Sequence, residues 1–182
     1  MKKYISLLRG INVSGQKKIK MVDLKSLYES LGFRDVLTYI QSGNVIFNSD
    51  LSNKFELIAK LEKAIQTRYD FHVPVQICTL NDLNEVLTRL PFKNLNADED
   101  GAKVYISFLS ETPAVEKASF LQAYIMAPEK LVVNDQIVYL YCPNGYGRTK
   151  LSNTFIEKKL GVAATTRNLR TVHKLSALAM NK

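Results

Sequence analysis

Nearly the same short text opens each half of the chain: Tyr4-Ile5-Ser6-Leu7-Leu8 and Tyr105-Ile106-Ser107-Phe108-Leu109. Both stretches are apolar and β-prone, and each heads a similar series of elements. After the first comes a loop over 9–18. Met21, Leu24, Leu27, Tyr28 and Leu31 then fall at helical spacing, with Gly32 as the stop. Strands are expected over 36–41 and 44–48, joined tightly at Ser42-Gly43. Phe55, Ile58, Leu61 and Ile65 mark an amphipathic helix over 53–69. A strand over 73–78 follows, and Asn81 or Asp82 caps a short helix reaching Leu90. The order is β-α-β-β-α-β, the ferredoxin-like order, in which helices cover one face of an antiparallel sheet.

The second half repeats it. A strand over 103–109 leads into a helix that starts at Thr112 or Pro113 and ends near Tyr124. Strands over 130–133 and 136–142 form a hairpin around Asn134-Asp135. Thr149 caps a helix ending at Leu160-Gly161, and 161–166 gives a short last strand. A final helix over 167–180 sets Leu169, Val172, Leu175 and Ala179 on one side, with Thr166 or Asn168 as its cap. The polar stretch 91–101 (PFKNLNADEDG) reads as the boundary. The chain is thus read as an α+β protein of two tandem ferredoxin-like units, 1–90 and 91–182, the second carrying a C-terminal helix.

Composition narrows the function. Residues 1–20 hold six Lys or Arg and no acid, and residues 143–182 hold eight against the single Glu157. With a net charge of +8, the centre of the chain is therefore acidic. Basic ends suit an anionic partner, nucleic acid or a phosphorylated ligand, if the fold brings them together; otherwise they solvate the surface. No apolar run is long enough to span a bilayer, and Arg9 ends the first apolar stretch too early for a secretory signal. Cys78 and Cys142 stand far apart in strand-like text without Cys-x-x-Cys spacing, which fits small buried hydrophobes in a cytoplasmic protein. No metal or cofactor is expected. His72 has no metal-ligand spacing to any partner, and 98–100 reads as a solvated acidic run.

Three stretches, LLRGINVSGQKKIKM at 7–21, YIQSGNVIF at 39–47 and GRTKLSNTFIEKKLGVAATTRNLRTVHKL at 147–175, resemble one bacterial family, domain of unknown function sixteen ninety-seven. The resemblance runs over nearly the whole chain. It implies a pair of ferredoxin-like subdomains and no activity. The family pattern falls on Arg9, Gly10, Asn12, Gly15, Lys20, Met21, Gln41, Ser42, Gly43 and Asn44, and later on Gly147, Arg148, Lys150, Arg167, Asn168 and Thr171. Ser14 stands where the pattern has Gly, Thr149 where it has Ser, and Leu169 where it has an aromatic able to stack on a ligand.

Two loops draw attention as anion sites. Gly10 and Gly15 have the spacing of a phosphate-binding loop, but Gln16 stands where its Lys belongs and no Ser or Thr follows to hold magnesium. The loop either cradles an anion beside Lys17, Lys18 and Lys20 or simply connects strand to helix. Gly145-Tyr146-Gly147-Arg148-Thr149-Lys150 combines glycine, positive charge and a helix start. Arg170, His173 and Lys174 lie opposite the apolar stripe of the last helix, where no carboxylate pairs with the histidine. Tyr4 and the stretch Gly43-Asn44-Val45-Ile46-Phe47 either form a base-stacking sheet surface or pack in a core.

The first expectation is a binding protein for a polyanion, nucleic acid above all, acting through basic loops 9–20 and 147–174. Arg9, Lys17, Lys18, Lys20, Arg148, Lys150, Arg167, Arg170 and Lys174 would meet phosphates, with Asn12, Gln41, Asn44 and Asn168 giving polar recognition. The rivals are an enzyme acting on a small phosphorylated or anionic metabolite, clamped by Arg148, Lys150 and Arg167, and a protein-interaction scaffold. Against the enzyme stands the lack of an identifiable base, nucleophile or metal site. Oligomeric state is not legible.

Overall fold

The computed structural model describes residues 1–93 and 97–181; the expected boundary 91–101 therefore lies partly outside the described residues, at 94–96. Strands β1 (Lys2–Leu8), β2 (Arg34–Tyr39), β3 (Asn44–Ser49) and β4 (Val75–Cys78) form an antiparallel sheet in the order β2-β3-β1-β4. Helices α1 (Met21–Ser30) and α2 (Lys54–Tyr69) make the crossovers.

Helix α1 ends as its sequence directs. Gly32, at φ 87°, carries the chain through the left-handed region, its N–H bonding Glu29 O while Phe33 N–H reaches back to Tyr28 O. The rings of Tyr28 and Phe33 then meet at 5.9 Å, the apolar contact that accompanies this stop. Phe47 and Tyr4, paired across β1 and β3, complete an aromatic core with them. Tyr28 is fully buried, so its hydroxyl needs a partner, and Ser6 Oγ supplies one at 2.8 Å; burial pushes the Tyr28 phenol up.

Both faces of β1 are buried: Tyr4 and Leu8 toward the helices, Ile5 and Leu7 on the opposite side. That is why its text runs apolar without alternation. The base-stacking reading is overturned here, because Tyr4 and Phe47 are only 2% and 0% exposed.

Helix α3 (Leu80–Thr88) is capped by Thr79, two residues before Asn81 and three before Asp82. Thr79 Oγ1 accepts from Asp82 N–H at 3.2 Å and the Asp82 carboxylate accepts from Thr79 N–H at 2.8 Å, a reciprocal box. Partial burial raises the Asp82 carboxyl, but Lys54 and Thr79 outweigh it and hold the group below its ordinary 3.8. The short α4 (Ala97–Asp100) leads into the second sheet.

There β5 (Val104–Leu109), β6 (Lys130–Asn134), β7 (Ile137–Tyr141) and β8 (Ala164–Asn168) repeat the arrangement as β6-β7-β5-β8, again antiparallel. The crossovers are α5 (Val115–Phe120), which tightens into a 3-10 turn over Leu121–Tyr124, and α6 (Asn153–Leu160). The protein is thus an α+β fold of two ferredoxin-like units, ending in the C-terminal helix α7 (Leu169–Met180), whose stripe Leu169, Val172, Leu175 and Ala179 is buried.

Several boundaries differ from expectation. The first hairpin turns over four residues, 40–43, rather than two. Ser152 caps α6 in place of Thr149, whose hydroxyl instead accepts from Leu151 N–H. Strand β8 runs on to Asn168, since Thr165, Thr166 and Arg167 pair with β5; α7 therefore starts two residues late, with Asn168 Oδ1 capping Thr171 N–H. The chain divides into compact units of Met1–Asn84 with Leu175–Lys182, and Glu85–Lys174, against the expected 1–90 and 91–182.

Candidate functional site

The loop between β1 and α1 folds on itself. Val13 and Gln16 form a bridge around Ser14 and Gly15, both at positive φ (50° and 76°), the signature of a tight turn of the kind that closes hairpins. Gln16 N–H bonds Val13 O and Asn12 N–H bonds Lys17 O, so these amides are used within the loop rather than offered to an anion. Asn12 is the clamp. Its amide group donates to Ile19 O and to Gln41 O, and its carbonyl accepts from Ile19 N–H, all at 2.9 Å. The loop is thereby tied to the β2–β3 hairpin. The two approach so closely at Gly43 that a Cβ there would stand 2.6 Å from Ile11 Cδ1.

One end of the first unit thus gathers Arg9, Asn12, Lys17, Lys18 and Lys20 of the loop with Gln41 of the hairpin, 29 residues beyond Asn12. Arg9 is half-buried, and its N–H bonds Pro74 O. Lys17 Nζ donates to His72 O at 2.7 Å, while Lys18, Lys20 and Gln41 are exposed around the tip. Asn44 is fully buried, and its amide bonds Tyr39 O and Ser42 Oγ, closing the hairpin. Lys3, one of the six cations of the first segment, donates to Ala179 O at the end of α7.

In the second unit the long connection is the one from β7 to α6. Gly145 holds φ 94°, ψ 145°, a backbone only glycine takes readily, and Tyr146–Arg148 make one 3-10 turn. Tyr146 stacks on Tyr105 at 4.3 Å, anchoring the turn to the central strand. Burial pushes both phenols up. Below them Ser107 Oγ and Thr166 Oγ1 bond at 2.7 Å, and Thr166 donates to Asn153 Oδ1 at the start of α6. Arg148 and Lys150 stand exposed on this anchored turn.

Arg170 and Lys174 are exposed on α7, and Asn168 serves as its cap. Arg167 is buried in β8 at 8% exposure, with Nη1 donating to Thr166 O. Leu169 is buried as well, so an aromatic at this position would pack in the interior. Sequence reasoning missed Tyr105 and Tyr146 as the holders of the second loop. The signal was present in Tyr146, a large aromatic between two glycines, where an anchor is the usual reason for bulk in a turn. Cys78 and Cys142 are both buried and unbridged, and burial pushes the Cys142 thiol up to about 11.

Among the described residues, no helix is long and apolar enough to cross a membrane, and no group of His, Cys, Asp or Glu is placed to hold a metal. Comparison with curated proteins finds no match. Among solved structures, the conserved bacterial protein SP0830 from Streptococcus pneumoniae is similar, at 26% identity and a TM-score of 0.73, over 97% of this chain and 98% of that one. The family described as Protein of unknown function (DUF1697) matches residues 1–139, a span holding the whole first sheet, the clamped loop and the strand text that opens the second half; the chain belongs to this family.

Proposed function

We propose that the protein is a cytoplasmic nucleic-acid-binding protein that holds the phosphate backbone through the cations of its two long loops. The observation that carries this is the clamped 9–20 loop. Lys18 and Lys20 are exposed beside a tip whose backbone is fixed by Asn12, so cations are displayed at little further cost in ordering. The anchored turn of the second unit displays Arg148 and Lys150 in the same manner. Lysines of this kind contact phosphates and carry no sequence code, whereas exposed Gln16 and Gln41 have the donors and acceptors to meet base edges or sugars.

The test is fluorescence-polarisation binding to short single- and double-stranded DNA and RNA over a salt series. Three proteins are compared: wild type, Lys18→Ala/Lys20→Ala and Arg148→Ala/Lys150→Ala. Each double variant is expected to weaken binding to all sequences alike, and to reduce the salt slope by about one for each phosphate no longer neutralised. No binding at low salt would sink the reading. Saturable displacement of bound nucleic acid by one phosphorylated metabolite, out of several of equal charge, would turn the same loops toward a small-molecule substrate.

A further inference from the structure

The helical layer of the second unit holds an arrangement that the basic loops do not use. Phe120 and Tyr124 lie one turn apart at the end of α5, and Phe155 and Lys159 lie one turn apart on α6. The three rings meet edge to face, Phe120 with Tyr124 at 5.6 Å and Tyr124 with Phe155 at 4.9 Å. Together they surround one ammonium: Lys159 Nζ is 5.7, 4.7 and 5.4 Å from the centroids of Phe120, Tyr124 and Phe155.

Among the described residues, no hydrogen bond or ion pair reaches that ammonium; the rings are its only partners. A primary ammonium is strongly hydrated and carries three N–H donors, none of which a π face satisfies as well as water does. A quaternary ammonium has no N–H to satisfy and sheds water readily, so three converging ring faces suit it better than they suit lysine. The site is also open to solvent, with Phe120 57% exposed and Tyr124 and Phe155 only partly buried.

We propose that Phe120, Tyr124 and Phe155 form an aromatic cage for a quaternary ammonium ligand, occupied in the free protein by the Lys159 side chain as an internal stand-in. The ligand enters by displacing Lys159 into solvent, so the lysine sets the affinity by competition.

Choline is the probe, titrated into the full chain while NMR follows backbone amides over 115–124 and 153–161. The Lys159→Ala variant, freed of the competitor, is expected to bind choline about tenfold more tightly than wild type. Replacing Tyr124 by Leu in that background keeps apolar bulk, removes a ring face and is expected to abolish binding. In the wild type the same titration is expected to shift the Lys159 side-chain resonances as the ammonium leaves the rings, a readout that stands even if the alanine variant folds poorly. Equal response to the uncharged tert-butyl isostere of choline overturns the proposal, as does a wild-type Lys159 signal unmoved by saturating choline.

Discussion

The two units begin with nearly the same strand and put it to different use. In the first, Tyr4 packs on Phe47 inside the aromatic core, and Ser6 satisfies the buried Tyr28 hydroxyl. In the second, Tyr105 sits at the matching place in the strand but stacks on Tyr146, and Ser107 bonds Thr166. The first unit therefore keeps its tyrosine for the interior, and its long loop is held by a polar device, the Asn12 clamp. The second uses the same tyrosine to hold its long loop. The shared strand order makes the same strand central in both units; what each central tyrosine supports depends on the ring it packs on.

The contrast is broken most forcefully at Phe47. Phe47→Ala should cost about 3–5 kcal/mol in chemical denaturation, since the ring is fully buried among Tyr4, Tyr28 and Phe33. A loss below about 1 kcal/mol would show the aromatic core to be dispensable. Tyr105→Leu should cost less, about 1–1.5 kcal/mol, yet speed tryptic cleavage after Arg148 or Lys150, because it releases the Tyr146 stack. Tyr4→Leu should leave cleavage after Lys17 or Lys18 unchanged; faster cleavage there would erase the distinction between the two tyrosines. The smallest effect is expected at Ser14, a non-glycine residue at φ 50° where the family-like motif carries glycine. Ser14→Gly should stabilise by about 0.5 kcal/mol, seen as a small rise in Tm, the relief of strain being partly offset by a more flexible unfolded chain.

What the sequence made legible, and what it did not, follows from how local each feature is. Gly32 and Gly161 stop their helices as read, because a left-handed residue after a helix needs only itself and the preceding turn. The order of strands came through because apolar β text and its turns are local as well. Arg167 was misplaced for the opposite reason. The helical spacing that follows put it at the start of the last helix, among the cations meant to meet phosphates, whereas its place in a buried strand depends on pairing with Ile106, 61 residues earlier in the chain. The gathering of Lys17, Lys18 and Gln41 at one end of a unit likewise rests on topology, and the link that makes it, Asn12 to Gln41, spans 29 residues. Thr149 and Ser152 are chemically alike as caps, and only backbone geometry decided between them. The ring cluster around Lys159 has no local signal in the sequence, because it depends on α5 and α6 lying side by side.

The two cysteines have a use beyond packing. Cys78 lies in the first unit and Cys142 in the second, each close to fully covered, and the Cys142 thiol is held in its neutral, unreactive form by burial. A thiol of this kind meets an alkylating reagent only when its surroundings open. The wild-type chain therefore carries one chemical clock in each half. Mass spectrometry of the two labelled peptides would time the breathing of the halves separately, and equal rates would mean that they open as one.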